Sequence, residues 1–565
     1  MKNKEFAELL EEAADLLEIK NIPWKPQAYR KAARTIQGLS EDIEKIYKEK
    51  GKNGLDDIPS IGPGITAHII EFLQKGKVQK FLELKQSVPK DLRKMISIPS
   101  LGPKRVAKLY KNLHIRTIKQ LETAAKNGQI AKLEGFGKKL QEEIKDGIQI
   151  VSQEINQTPI GIALPIAERL KELLVPYAKK IEIAGSIRRM NETVKDIDLL
   201  ITSKKPNKVI EVFTNLPEVT KVVNAGNTKA SVRLKQGINC DVRIVPSKSF
   251  GAALVYFTGS KDHNIKLRQI AIKQGKKLSE YGLFKNNKYI VGKTEKEVYT
   301  HLSLPYFPPE IREDNGEFNL KIPSLVELRD IKGDCHMHTT WSDGLSSSED
   351  MIKAATKHNY EYIAITDHSR SLKIANGLSI DRLRNRNKEL CRLQKKYSIK
   401  ILNGAEVDIL SNGKLDYPNS LLKELDFVIG SIHSSFKDSK KVMTDRIVKA
   451  IDSGGIHCVG HLTGRLINIR KPYDLDFNDI LDHAKKNNVA LEINSQPSRL
   501  DLRAEYIREA IKNNVKLIIN SDSHNINQLE SIKYGIGQAR KGWAKKIDVL
   551  NTLPLKKFDH FLKHN

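Results

Sequence analysis

The stretch CHMHTTWSDG (335–344) sets His336, His338 and Asp343 close together, and similar runs recur down the last third of the chain. They are ITDHS (365–369), GAEVD (404–408), GSIHS (430–434), VGHLTGR (459–465) and INSDSH (519–524), contributing His368, Glu406, His433, His461, Asp522 and His524. Most follow an apolar stretch such as YIAI, DFVIG or VKLIIN, which reads as a buried parallel strand. Ligands carried on the ends of successive parallel strands converge at the C-terminal mouth of an α/β barrel, where such folds keep their chemistry. A lone histidine is usually an ordinary surface or core residue, but most of these sit beside a carboxylate at a strand end. Imidazole and carboxylate with almost no thiolate suit Mn, Zn or Fe in a multinuclear site.

These runs resemble the PHP (polymerase and histidinol phosphatase) family of metal-dependent phosphoesterases, over residues 333–565. The resemblance implies a distorted (α/β)7-type barrel holding up to three ions, Mn2+ or Zn2+/Fe. The nine ligands it implies are His336, His338, Asp343, His368, Glu406, His433, His461, Asp522 and His524, with no departure from the pattern.

The 565 residues are too many for one core, so several domains are expected. The net charge of +28 leans toward the first half of the chain and favours a polyanionic partner; a generally lysine-rich composition is the plainer explanation. Cys240, Cys335, Cys391 and Cys458 form no CxxC pair, which argues against a disulfide framework and fits a reducing cytoplasm. No apolar run is long enough for a membrane helix, and the first residues read as an acidic amphipathic helix rather than a signal peptide.

That helix, FAELLEEAADLLEI, is followed by AYRKAARTIQGL after a proline-containing turn. Three similar loops come next: IPSIGPGITAHI (58–69), IPSLGPKRVAKL (98–109) and LEGFGKKLQEEI (133–144). Each sets glycines (Gly62 and Gly64, Gly102, Gly135 and Gly137) before a helix N-terminus, where free N–H groups can grip a phosphate. The loops resemble the helix-hairpin-helix motif, which holds duplex backbone without reading sequence. The expected all-α region divides into a first DNA-binding domain, 1–88, and a duplex-binding domain, 89–150, in which Lys104 and Arg105 add charge.

From 151 the pattern becomes α/β. IEIAG (181–185), IDLLIT (197–202), SVRLK (231–235) and CDVRIV (240–245) suit a small, mostly antiparallel sheet, and helices follow at 249–275. GSIRR (185–189) ends one strand and KDIDLL begins the next. Asp196 and Asp198, at i and i+2 on a strand, point to one face and can hold the same pair of Mg2+ ions. Asp241 can supply a third carboxylate from a neighbouring strand.

GSxRR…DxD…D resembles the nucleotidyltransferase superfamily. YFTGS (256–260) with the following KDHNIKLRQIAIKQGKKLSEYGLF closely resembles the family X DNA polymerases, the group of DNA polymerase beta. LEINSQPSRLDL (491–502) resembles the PHP variety attached to such polymerases in bacteria and archaea. The resemblance implies a nucleotidyltransferase palm (151–248) and a nascent-base-pair-binding subdomain (249–318). By composition the polar, proline-containing stretch PYFPPEIREDNGEFNLKIPSL (305–325) reads as the linker into the barrel, and the domain division sets the linker at 319–332. The resemblance also implies that Gly185, Ser186 and Arg189 hold the incoming dNTP triphosphate and that Tyr256, Phe257 and Gly259 pack on its sugar. Asn264 and Arg268 would face the nascent pair, and Arg243 would orient Asp241 or the primer end.

Two positions depart from lyase-active relatives: His68 stands where a Schiff-base lysine is needed, and Gly64 replaces a phosphate-binding lysine. Imidazole forms no stable imine with a sugar aldehyde. Lys25, Tyr29 and Arg30 match residues near a downstream 5′-phosphate. The expected protein is a cytoplasmic, monomeric gap-filling DNA polymerase of base excision repair, acting on gapped or primer-template DNA. Its barrel would be a 3′–5′ exonuclease that also cuts at abasic sites. Two other readings are a polymerase fused to a small-molecule phosphatase and a non-catalytic DNA-end scaffold, whose mark would be missing ligands.

Overall fold

The helical periodicity of the first residues is realised as α1 (Lys2–Ile19), α2 (Lys25–Gln37), α3 (Ile43–Asp56), α4 (Pro63–Lys75) and α5 (Gln79–Ser87). Then come α6 (Lys90–Met95), α7 (Pro103–Leu113), α8 (Ile118–Lys126) and α9 (Lys138–Glu154). This computed structural model describes residues 2–563 apart from 38, 40, 97, 99, 100, 155 and 156. Contacts divide it into two units, Met1–Asn156 and Gln157–Asn565.

The first unit is helical and has two cores. Phe6, Leu10, Ile36, Ile69, Phe72 and Phe81 form one; Leu16, Ile19, Val88, Val106, Leu121 and Phe136 belong to the other. The two ends of α1 thus serve different cores. Gly62 and Gly102 cap α4 and α7 in extended conformation without a side-chain cap, each followed by proline. Proline is suited to a first turn whose N–H groups find no partner inside the helix. Pro99 and Ser100 of the second loop lie outside the described residues.

The second unit begins with β1 (Thr158–Pro159), β2 (Lys180–Ile183), β3 (Thr193–Val194), β4 (Asp196–Thr202), β5 (Val219–Ala225), β6 (Lys229–Leu234) and β7 (Asn239–Ile244). Its five-stranded sheet has the order β2-β4-β7-β6-β5, antiparallel except for the parallel pair β4–β7. A three-stranded meander follows, β8 (Lys277–Ser279), β9 (Gly282–Lys285) and β10 (Lys288–Val291), packed with helices Phe250–Thr258, Lys261–Lys273 and Glu295–His301.

Seven parallel strands then pair in chain order: β11 (Gly333–Asp334), β12 (Tyr362–Ile365), β13 (Lys400–Asp408), β14 (Phe427–Ser431), β15 (Cys458–Val459), β16 (Ala490–Asn494) and β17 (Leu517–Asn520). The ring is drawn shut beyond β11 and β17, where the His338 N–H donates to Ser523 O at 2.7 Å and the Ser523 N–H to His336 O at 3.3 Å. Every residue of β12, β14 and β17 is buried, which is why these strands read as unbroken apolar runs. Inside, Phe558 from the last helix stacks on Tyr362 at 4.5 Å among Leu402, Phe427, Ile429 and Ile518 and fills the end opposite the site. The architecture is therefore the expected one: helix-hairpin-helix region, mixed α/β middle, seven-stranded PHP-type barrel.

One reading needs correction. The polar stretch from 305 is not a free connector: Phe307 and Arg312 are fully buried, as is Glu317 almost completely, and Phe307 and Ile311 join the core of the meander. Farther on, in the expected linker, the Val326 N–H donates to Ala544 O. Prolines break periodicity here, so burial proceeds without a regular element that a pattern could reveal.

Candidate active sites: a palm carboxylate triad and a barrel metal centre

In the palm, register sets Asp198 directly beside Asp241 across β4–β7, with Asp196 at the start of the same strand. Burial, then the charges of Asp196 and Asp241, push the Asp198 carboxyl up to about 7, and Asp196 rises for the same reasons. Three carboxylates that repel one another in a half-buried site are relieved by a divalent cation, so the triad fits metal. Gly185 has φ +64°, and a Cβ there would overlap the Asp198 carboxylate, so glycine is needed twice over.

Arg189 reaches from the GSIRR turn to the TGS turn, donating to Thr258 O, and its Nε meets Glu313 at 3.0 Å. A Cβ on Gly259 would lie 3.0 Å from the same guanidinium. Ser186 follows Gly185 in the short helix Gly185–Arg188. Tyr256 is 39% exposed, so it is not a core aromatic; Phe257 lies under Arg243 at 4.7 Å. Asn264 donates to Tyr256 O at 2.7 Å and Arg268 to Asn264 O at 3.2 Å. Both line a small cavity with Tyr256 and Ser279. The residues expected around a nucleotide are thus brought together.

In the barrel all nine expected ligands gather at the C-terminal ends of the strands. Three groups have ligand atoms within 4.8 Å of one another: His338, Asp343, His368 and His524; His336, His338 and Asp522; and His368, Glu406 and His433. His461 joins through Nε2, 2.9 Å from Glu406 Oε1. Oε2 of Glu406 is approached by His336 Nε2 (3.4 Å), His338 Nε2 (3.5 Å) and His368 Nδ1 (2.8 Å). All four atoms are nevertheless buried without a hydrogen-bond partner. Buried polar atoms without partners are costly, and lone pairs facing one another are what a cation would satisfy. The donor set fits several metal ions.

Burial lowers His338 to about 4, with help from His524 and His368. It would raise Glu406, but His368, His433 and His336 hold that carboxyl well below its usual range. His433 is opposed by burial yet raised to about 9 by Glu406 and Asp408.

Supporting residues had gone unnoticed in the sequence. Glu492 accepts from His336 Nδ1 at 2.6 Å and from the His461 N–H at 2.8 Å, and Asp408 holds His433 Nδ1 at 2.6 Å. Partners of this kind fix the ring orientation of a metal-binding histidine. Asp367, buried against Arg386 at 3.3 Å, accepts from the Thr339 N–H and Ser342 Oγ and so shapes the loop that carries Asp343. The signal was present as carboxylates inside otherwise apolar strand runs, LEIN and ITD.

In the helical unit, Gly62, Gly64, Gly102, Gly135 and Gly137 are all exposed, as are Lys104 and Arg105. No atom would meet a Cβ on Gly62, Gly64, Gly102 or Gly137, so these turns are open to a ligand. Lys25 is exposed at the start of α2. Tyr29 is half-buried with His68 and Phe81. Arg30 is half-buried and paired with Asp15 at 2.6 Å and Glu18 at 2.5 Å.

The fold and its two sites define a chain that joins a polymerase-type palm to a metal-binding PHP barrel behind helix-hairpin-helix elements. Family comparisons match a helix-hairpin-helix domain over residues 1–78, a SAM-like helix-hairpin-helix tandem over 92–149, a DNA polymerase beta thumb over 253–313 and a PHP domain over 334–496. The chain is 40% identical to the DNA polymerase/3′-5′ exonuclease PolX of Bacillus subtilis (strain 168), over 100% of both chains. A probable phosphatase of Acetivibrio thermocellus is 27% identical over 41% of this chain and 94% of its own. A DNA nucleotidylexotransferase of Ambystoma mexicanum is 22% identical over 54% of this chain and 68% of its own. The chain belongs to the family X DNA polymerases that carry a C-terminal PHP domain. No helix among the described residues is long and apolar enough to cross a membrane.

Proposed function

We propose that this chain is a DNA-directed DNA polymerase that fills short gaps during repair and trims 3′ ends with its barrel, as a cytoplasmic monomer. The observation that carries the reading is the clustering of the nine barrel ligands, with the palm carboxylates Asp196, Asp198 and Asp241 on two paired strands, in one chain aligned from end to end with a polymerase/exonuclease.

Asp196, Asp198 and Asp241 would hold two Mg2+ ions in the palm, and the barrel ligands would hold up to three ions, Mn2+ foremost, with Zn2+ or Fe as alternatives. Divalent cations at such sites activate a hydroxyl nucleophile and balance charge on the leaving group. The chain's own part is placement. Gly185, Ser186 and Arg189 receive the triphosphate, Tyr256 and Phe257 bear on the sugar, and Asn264 and Arg268 face the new pair. Open glycine turns in the helical unit hold duplex backbone without regard to sequence. In the barrel, Glu492 and Asp408 aim the imidazoles of His336 and His433 into the ligand cluster.

The test is primer extension on gapped DNA with Mg2+ and Mn2+, with and without dNTPs. Asp196→Ala or Asp241→Ala should abolish extension and leave nuclease activity; His338→Ala or Asp522→Ala should do the reverse. Loss of both activities in a folded palm variant would defeat the two-site assignment. The likeness to probable phosphatases over the barrel favours a second reading, a small-molecule phosphatase. Hydrolysis of histidinol phosphate in preference to a 3′-recessed duplex would support it.

A further inference from the structure

Four consecutive palm residues, Arg189 to Glu192, are each held by a side chain from the barrel. Lys541 Nζ donates to Arg189 O (3.3 Å) and to Asn191 Oδ1 (2.9 Å). Gln538 Nε2 donates to Met190 O at 2.9 Å. Arg465 makes a two-pronged pair with Glu192, at 2.8 and 2.6 Å. Gly537 lets the backbones close up, since a Cβ there would lie 2.5 Å from Met190 Cε. Met190 itself has φ +54°, a conformation that a side chain of this size rarely adopts unless its surroundings enforce it.

This segment is the exit of the GSIRR turn. Lys541 also meets Glu313 at 3.0 Å, and Glu313 shares the same carboxylate oxygen, Oε1, with Arg189 Nε. Burial would raise the Glu313 carboxyl, but Lys541 and then Arg189 hold it below the usual range. Arg189 thus has a partner at Nε, Glu313, that is itself divided between two cations, and a backbone carbonyl bound from below. Arg189 Nη2 has no protein hydrogen-bond partner among the described residues and remains for a ligand.

We propose that the barrel supplies Lys541, with Gln538 beside it, as a positioning residue for the polymerase's triphosphate-binding turn. The barrel would then be part of the polymerase site's scaffold, through residues on helix Ile532–Lys541 that are not barrel metal ligands. Without Lys541, Glu313 would be left to Arg189 alone and would compete with the incoming triphosphate for its guanidinium. The inference rests on the polymerase reading above.

Steady-state extension on the full-length protein tests it with Lys541→Met, Lys541→Arg and Gln538→Ala. Losing one charge-assisted contact should raise the KM for dNTP about tenfold in Lys541→Met. The KM for primer-template and 3′ nuclease activity should stay within a factor of two of wild type, a margin set by the roughly additive behaviour of distant sites. Lys541→Arg should restore most of the dNTP affinity, and Gln538→Ala, which cuts a different tie and covers the case of a misfolded Lys541→Met, should move the same constant. An unchanged KM for dNTP in folded Lys541→Met overturns the proposal. So does a parallel fall of extension and nuclease activity with a lower Tm and no rescue by arginine, which would mean a merely structural contact. A wild type that does not extend primers would instead bring down the polymerase reading itself.

Discussion

His336 Nδ1 lies 2.6 Å from Oε1 of Glu492, with both side chains fully buried. The carboxylate also accepts from Asn520 Nδ2 at 3.0 Å and Asn494 Nδ2 at 3.1 Å, so it has little freedom to move. Its acidity is opposed by burial and favoured by His336. Ionised Glu492 can only accept, which leaves Nδ1 of His336 as donor and turns Nε2 toward the ligand cluster. Glu492→Gln should weaken metal binding by about 10–100-fold, the usual cost of losing such a partner. Titration of the apo-protein with Mn2+, followed by isothermal calorimetry, reads this directly; unchanged affinity would remove Glu492 from the site's support.

Gly185 concerns the other site. A methyl group there would collide with the Asp198 carboxylate from a backbone at φ +64°, and neither can yield without moving the triad. Gly185→Ala should lower the rate of extension by about 100-fold or more, since a displacement near 1 Å costs that much in a positioned reaction. Nuclease activity should be close to wild type, with a Tm lowered by the strain of a Cβ at positive φ. Extension at wild-type rate would show that the turn has slack.

Much of this was legible because the chemistry lies in contiguous runs. Most barrel ligands lie on or just after a short, largely apolar strand, and Asp196 and Asp198 share a strand face. Less visible were elements defined by what they touch. β5 is exposed along most of its length and carries no alternation to betray it. The β8–β10 meander has strands of three or four residues, too short for a period to show. Arg30 sits in a motif that suggests a phosphate contact, yet Asp15 and Glu18, one helix earlier, claim its charge. Long-range pairing of that kind leaves no trace in local pattern.

That last contrast gives a binding prediction. A 5′-phosphate on the downstream strand should tighten binding to a gap through exposed Lys25, and Lys25→Ala should reduce the salt slope by about one unit. Arg30→Ala should leave the slope alone and lower the stability of the helical unit, because Asp15 and Glu18 lose the cation they share. Affinity measured across a salt series separates the two. A slope that falls with Arg30→Ala and not with Lys25→Ala would reverse the roles.

His457 predicts a pH dependence of stability. Its Nδ1 accepts from the Val428 N–H at 3.0 Å, and burial lowers the group to about 4. Above pH 6.5, the ordinary value, the ring is neutral folded or unfolded and the stability is fully present. As pH falls toward 4 the unfolded chain takes up a proton that the folded one refuses, so stability is lost through that window and no further below it. The loss attributable to this ring should be about 1–2 kcal/mol, allowing for partial exposure. His457→Asn, which can still accept from Val428, should flatten that part of the curve. Urea midpoints at pH 7.5 and pH 5, read by fluorescence in a Trp24→Phe background so that Trp341 and Trp543 report, compare the two. Equal pH sensitivity in both proteins would rule the ring out.

His68 carries the remaining prediction, that the helical unit has no Schiff-base lyase activity. A lyase needs an amine that attacks the ring-opened sugar aldehyde, expels the phosphate by β-elimination and remains as a reducible imine. His68 lies on α4 with its ring 4.9 Å from Phe81 and edge-on to Tyr29 at 6.4 Å. Burial, and then the positive charge of Lys80, hold it below its ordinary pKa, so it is a neutral imidazole at pH 7. Lys75 is exposed and faces Glu71 at 3.7 Å; Lys80 is an amine whose charge the His68 ring feels. Borohydride trapping on a 5′-deoxyribose-phosphate end should give no adduct with wild type and an adduct with His68→Lys, which places an amine in the same pocket. Strong trapping by wild type would sink the prediction, and its disappearance in Lys80→Ala would assign the chemistry to that lysine.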